Sequence, residues 1–427
     1  MTSQPRAGHE PAFRPLPLSD TATDLIAREK AFGANNYDPL PVVLARGEGS
    51  WLTDVDGRRY LDLMSAYSAV SFGHAHPRIL GALVAQAQQL GVTSRAYHNA
   101  ALPRLFERLA GLTGLDRVLP ANGGAEAVET ALKAARKWGH KVKGIPEGRA
   151  EIIGCDGNFH GRSIAVIGLS TESQYRDGFG PFPAGLSTIP YGDSDALERA
   201  ITPRTAAFLV EPIQGEGGII VPPPGYLARC AEICRRHRVL LICDEIQTGL
   251  GRCGRFLASE HDGVRPDAVI LGKALGGGLL PVSALVGTDD LMQVFHPGDH
   301  GSTFGGNPLA AAVAIAALDV LEDEKLVERS AELGAWLLDE LSDLRSHIVR
   351  DVRGRGLFVG IEVDPRYVGA RPVVDRLLAR RILSKDTHGT VVRIAPPLNI
   401  RREDLAWAVA RIRATFRELE RDLKRAA

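Results

Sequence analysis

Lys273 and Asp244 are the residues of this sequence best placed to do chemistry together, because each closes an apolar run. Val239-Leu240-Leu241-Ile242-Cys243 leads into Asp244-Glu245, and Ala268-Val269-Ile270-Leu271 leads into Gly272-Lys273. Runs of this length, β-branched and without polar alternation, read as strands buried on both faces of a parallel sheet. Ligands of such sheets sit beyond the carboxyl ends of the strands, so the amine and the carboxylate are expected to face one pocket. A cofactor built on a pyridine ring uses both. The lysine forms an imine with its aldehyde, and the carboxylate keeps the ring nitrogen protonated so that the ring can accept electrons. Taken singly, each residue has an ordinary reading, the acid as a cap and the lysine as a solvated loop charge.

The rest of the chain supplies further parts of such a pocket. Asn122-Gly123-Gly124-Ala125-Glu126 precedes a predicted helix over 126–138, whose positions Val128, Ala131, Leu132, Ala135 and Trp138 keep the spacing of one buried face. Free N–H groups at a helix start bind anions, and glycine lets a phosphate approach closely. The glycine- and hydroxyl-rich loop 301–308 suits a phosphate or a plain turn equally. Gly157-Asn158-Phe159-His160-Gly161-Arg162 follows the strand 151–155 and offers a ring to stack on a flat group and a guanidinium to hold a carboxylate. Arg393 interrupts an apolar strand, Val391 to Ile394, where an unpaired charge would be costly. Glu216, at the end of Glu211-Pro212-Ile213-Gln214-Gly215-Glu216, is the partner it is expected to take.

The elements that must position these groups fall into two lobes. Residues 1–20 read as a flexible tail, and 21–63 as an N-terminal segment with a small antiparallel ribbon between Val42 and Asp62. Strands alternate with helices over 64–310, which predicts a large α/β lobe with a mostly parallel sheet. Residues 311–427 predict a smaller α+β lobe, with strands at 359–363 and 391–394 and helices including 371–383 and a long terminal one. A further helix is expected at 225–238.

Composition narrows the function classes. Lys+Arg and Asp+Glu both number 51, giving zero formal charge without charge blocks, which argues against nucleic-acid or anionic-membrane partners. Five cysteines suit a reducing compartment and no disulfides, and no apolar stretch reaches membrane-spanning length, so a cytoplasmic protein is expected. Gly249-Leu250-Gly251-Arg252-Cys253-Gly254 matches a dinucleotide fingerprint in letters, which would suit an NAD-dependent dehydrogenase, but starts five residues past Asp244 with no acid-ended strand at the right distance after it. Gly272-Lys273 fails as a phosphate loop because Asp267 and Ala274 occupy positions that need Gly and Ser or Thr. Cys230, Cys234 and His237, and likewise His74 and His76, read as structural, so no metal site is expected.

From about Phe32 onward the chain resembles the class III aminotransferases of pyridoxal-phosphate (PLP) fold type I. The resemblance rests on Gly33-Ala34-Asn35-Asn36-Tyr37, Asp38-Pro39-Leu40-Pro41, Ser65-Ala66-Tyr67-Ser68-Ala69-Val70, Val210 to Glu216, Asp244-Glu245-Ile246-Gln247-Thr248-Gly249, Leu271 to Leu275 and Gly301 to Pro308. It implies a large lobe with a mostly parallel seven-stranded sheet and a small α+β lobe built from both chain ends. It also implies PLP as cofactor. Lys273 would carry it and shuttle the proton, Asp244 would pair with the ring nitrogen, Gln247 would contact the ring oxygen and Phe159 would stack on the ring. Gly124 and Ala125 would bind the phosphate, with Ser302 and Thr303 reaching it from the neighbouring subunit of a homodimer. The resemblance is strongest to members that move the δ-amino group of ornithine to 2-oxoglutarate; others act on acetylornithine, 4-aminobutyrate or lysine. In the ornithine type, Tyr37 and Arg162 would hold the donor's α-carboxylate, Tyr67 would face its α-amino group, and Arg393 would bind glutamate when not masked by Glu216. Gly123 and His160 depart from the family pattern, the first expected to cost a phosphate hydroxyl, the second to alter packing near Arg162, neither touching the core chemistry.

Overall fold

The computed structural model describes residues 17–426. Its large lobe is a seven-stranded sheet in the order Arg117–Ala121, Ser283–Gly287, Ala268–Leu271, Leu240–Asp244, Thr205–Val210, Glu151–Cys155, Leu186–Ile189. Only Ser283–Gly287 runs antiparallel to its neighbours, so the expected mostly parallel sheet is present. The apolar runs lack alternation because both faces are covered. Leu240, Ile242, Ala268 and Ile270 pack under the helix Gly124–Trp138, while Leu241, Cys243, Val269 and Leu271 join the larger core on the other side. Asp244 and Lys273 consequently emerge at neighbouring carboxyl ends.

A second sheet orders Val349–Gly354, Val359–Val363, Val391–Ile394 and Lys385–Thr387, with the helices Leu326–Ser342, Ala370–Ala379 and Arg402–Ala426. The N-terminal ribbon Leu44–Glu48, Trp51–Asp54, Arg59–Asp62 is extended by Ile382–Leu383, which pairs in parallel with Arg59–Asp62. That pairing unites the two chain ends in the smaller lobe.

Three local readings change. Of the expected tail, residues 1–16 lie outside the described residues, but Ser19 already caps a helix Asp20–Phe32 by accepting the Ala22 N–H at 3.1 Å. The helix expected over 371–383 stops at Ala379, because Arg381 turns left-handed at φ 65° and sends the chain into Ile382–Leu383. The helix expected over 225–238 spans Tyr226–Arg236 between two left-handed residues, Gly225 and Arg238. Gly251 and Gly254 serve packing: a Cβ on Gly254 would press on Ala331 of the helix Leu326–Ser342, and one on Gly251 on Leu321, Leu398 and Val327. All five cysteines are free and buried, and among the described residues no His, Cys, Asp or Glu cluster could hold a metal and no helix is long and apolar enough to cross a membrane.

Candidate active site

The strand Leu240–Asp244, the turn at Lys273, the helix start at Gly124 and the loop after Cys155 converge on a cavity of about 200 Å³ lined by Gly124, Ala125, Phe159, Asp244, Gln247 and Lys273, among others. Six of the residues expected from sequence thus share one space. The helix begins at Gly124, two residues earlier than its apolar pattern indicates, because Glu126 folds back to accept from the N–H and side-chain amide of Asn122, both at 2.9 Å. Its first turn therefore presents the Gly124 and Ala125 N–H groups, with Gly124 lying so close to Ile246 that a Cβ would stand 3.0 Å from it. Burial pulls the Lys273 ammonium below the usual lysine range, although Glu216 and Asp244 pull the other way.

His160 overturns its expectation. Its ring is fully enclosed, and Nδ1 lies 2.7 Å from Asp244 Oδ2, while the other carboxylate oxygen accepts the Ile246 N–H at 3.0 Å. The residue after Phe159 therefore buttresses the very carboxylate expected to face the ring nitrogen rather than the surroundings of Arg162. Burial alone would lower the imidazole pKa, but the hydrogen bond and charge of Asp244 win and raise it. Nε2 has no hydrogen-bond partner among the described residues. Glu211 is a second buried acid beside this pair. Its oxygens accept the N–H groups of Phe159 at 3.0 Å and Gly215 at 3.3 Å, and burial pushes its pKa to about 7.

Arg393 and Glu216 meet as expected, in a fork with both N···O distances 2.6 Å and the arginine only 3% exposed. The guanidinium also lies 5.4 Å from the Tyr67 ring centroid. Glu216 stays a carboxylate: burial would raise its pKa, yet Arg393 pulls it down. Gln247 donates to the Tyr67 carbonyl at 3.3 Å and fills the space beside Gly215 so tightly that a Cβ there would stand 1.6 Å from its amide oxygen. Arg162 is exposed and stacks on Tyr175 at 4.0 Å, and Tyr37 is 72% exposed. Tyr175, unremarked in the sequence, is thus the platform beneath Arg162. Ser302 and Thr303 are exposed, with Ser302 Oγ accepting from Asn122 at 3.3 Å and Phe304 57% exposed beside them.

Tyr67 sits in unusual backbone. Ser65, Ala66, Tyr67 and Ser68 have φ of 48°, 46°, 58° and 73°, a left-handed helical turn without a glycine. Such geometry costs an L-residue roughly 1–2 kcal/mol at each position, so neighbouring contacts must enforce it.

The class-III aminotransferase family matches residues 32–416. The chain belongs to the class-III aminotransferases. This aminotransferase is 53% identical to the ornithine aminotransferase of Bacillus subtilis (strain 168) over 394 residues, covering 92% of this chain and 98% of that one. Its fold superposes on an ornithine aminotransferase from Toxoplasma gondii, described with PLP at its active site, at a TM-score of 0.93 and 47% identity, covering 94% and 96% of the two chains. An acetylornithine aminotransferase from Elizabethkingia anophelis is similar at a TM-score of 0.84 and 45% identity, with 93% and 99% covered. The family works with PLP, and the residues present fit it: an enclosed lysine, a buried carboxylate, a helix start for a phosphate and a ring beside them. This aminotransferase is therefore a PLP-dependent enzyme of fold type I.

Proposed function

We propose that the chain transfers the δ-amino group of L-ornithine to 2-oxoglutarate, giving glutamate 5-semialdehyde and glutamate. The forked Arg393–Glu216 pair at the site carries this reading, because it lets one pocket serve two differently charged partners. With the pair closed, no free cation at that position attracts the α-carboxylate of ornithine, and the far end of the donor is left to Arg162 and Tyr37. With Glu216 moved aside, Arg393 takes the α-carboxylate of glutamate in the same bidentate manner. The 53% identity to a Bacillus ornithine aminotransferase supports the choice of donor.

PLP, when bound, supplies an aldehyde that condenses with amines and a pyridine ring that takes up electrons. Lys273 is the residue that would hold PLP through its aldehyde, and its Nζ would serve as the acid and base that moves the proton. Asp244, one of whose oxygens is fixed by His160, would hold the proton on the ring nitrogen. Phe159 would cover a ring face, Gln247 would bind the ring oxygen, and the Gly124 and Ala125 N–H groups would hold the phosphate. Ser302 and Thr303 complete the phosphate site of a second copy of the chain, so the working unit is a homodimer. We place the large cofactor-binding domain at 64–310 and the small domain at 21–63 and 311–427, and the enzyme in the cytoplasm.

Glu216→Ala is expected to leave Arg393 open to any α-carboxylate. The half-reaction with glutamate should then quicken, and that with ornithine should slow by about tenfold or lose its preference for the δ-amine, since a bidentate Arg–carboxylate contact in the wrong pose is a strong competitor. Stopped-flow measurement of the two half-reactions decides; equal effects on both would exclude a gating role. Tyr67→Ile should lower kcat/KM for ornithine and raise it for 4-aminobutyrate, which has no α-amino group to pair with the phenol. A hydroxyl left unpaired in the wild-type site costs about 1–3 kcal/mol, enough to move the donor ratio roughly 5- to 150-fold. Burial keeps the phenol protonated, so its oxygen is free to accept from the donor's α-ammonium group without adding a negative charge beside Glu216. A ratio that does not move would leave Tyr67 as packing alone.

A further inference from the structure

Asp62 is 3% exposed, lies outside the cavity and takes no part in the chemistry above, yet the hydrogen bonds of its carboxylate go to the left-handed turn and the loop behind it. One oxygen, Oδ1, accepts the N–H groups of Met64 and Ser65, both at 2.8 Å, at the entry to the turn. The other, Oδ2, lies 2.8 Å from His74 Nε2, and His74 is bridged through its own backbone to Gly49 of the ribbon. From the far side, the Ser65 hydroxyl donates to the carbonyl of Ala395 at 2.8 Å, and the Ala395 N–H donates to Leu63 at 2.7 Å, two residues from Arg393. The turn is thus clamped between the N-terminal ribbon and the strand that carries the switch arginine.

The turn's handedness decides where Tyr67 points. A right-handed turn would send the Cβ of residue 67 to another side and break the approach of its ring to Arg393 and of its carbonyl to Gln247. None of the four residues is glycine, the one type that adopts such φ without strain, so the geometry must be imposed from outside. We propose that Asp62 is a positioning residue for donor selection: its carboxylate holds residues 65–68 left-handed and thereby sets the tyrosine against the donor's α-amino end. This rests on the reading of Tyr67 given above.

The test compares the PLP-loaded wild type with Asp62→Ala, Tyr67→Ile, and Asp62→Ala combined with Ala66→Gly, measuring kcat/KM for ornithine and 4-aminobutyrate and the half-reaction with glutamate. Asp62→Ala is expected to move the ornithine to 4-aminobutyrate ratio at least fivefold in the direction of Tyr67→Ile, with the glutamate half-reaction changed by a smaller factor and cofactor still bound. Adding Ala66→Gly should restore most of the ratio, because glycine takes the left-handed φ unaided, which a general loss of packing would not allow. A ratio within twofold of wild type in Asp62→Ala, or no recovery with glycine, overturns the proposal. Should Asp62→Ala give no folded protein, Ser65→Ala removes the opposite clamp and is expected to shift the ratio at least threefold; no shift overturns the proposal equally. A crystal structure of the variant separates the two claims. A turn still left-handed refutes the role of Asp62 whatever Tyr67 does, whereas a relaxed turn with an unmoved ratio in Tyr67→Ile refutes the reading of Tyr67.

Discussion

Lys273→Ala is expected to lower kcat by at least about 10³-fold, because the site then loses both the amine that bonds to the cofactor's aldehyde and the base that moves the proton. The lysine is suited to both tasks by its surroundings: burial favours the neutral amine, while the charges of Glu216 and Asp244 oppose that shift. The fold should survive the change. Lys273 already stands in left-handed backbone at φ 44° within a short turn, and alanine at that position meets the same strain. Circular dichroism and the visible absorbance of the cofactor check the two halves of this expectation. A variant that folds, loses the lysine-dependent absorbance and does not turn over fits the account; near-native turnover would remove Lys273 from the chemistry.

Asp244→Asn should keep the cofactor but cost about 10²- to 10³-fold in kcat. An amide has nearly the size of the carboxylate, yet it carries no charge to hold a proton on a ring nitrogen. The local hydrogen bonds also turn against it. In the wild type, both oxygens accept, one from the Ile246 N–H and one from the His160 ring. An asparagine offers one acceptor and one donor, so either the histidine changes tautomer or one contact is lost. Titration with PLP, followed by single-turnover rates, separates weakened binding from slowed chemistry. Tight binding with unchanged rates would place the proton-holding acid elsewhere.

What could be read from the sequence, and what could not, follows from the range of the forces involved. The runs ending at Asp244 and Lys273 were legible because strands covered on both faces need apolar side chains at every position, and the sheet then aligns their ends. The demand of Arg393 for a partner was legible as well, since a charge inside an apolar strand cannot stay unpaired, and Glu216 supplies the fork. The helix Asp20–Phe32 was not legible, because only Ala22 on it is buried and no apolar stripe marks it. His160 was misplaced for another reason. Its partner Asp244 lies 84 residues away, and only the packing of two loops at the sheet end reveals the contact. The left-handed turn at 65–68 leaves no trace in residue type, since neither glycine nor asparagine occupies it. Tyr175 and Glu211 likewise become site residues only once the loops after the strands are folded together.

The central claim is that the terminal amine of ornithine, not the α-amine, is the group transferred. Ornithine carrying ¹⁵N at the δ position, incubated with the PLP-loaded enzyme and unlabelled 2-oxoglutarate, tests it most directly. The glutamate formed is expected to carry the ¹⁵N, and ornithine labelled only at the α position to give unlabelled glutamate. Label arriving from the α position, or no glutamate formed from ornithine while another ω-amine supplies it, would contradict the account.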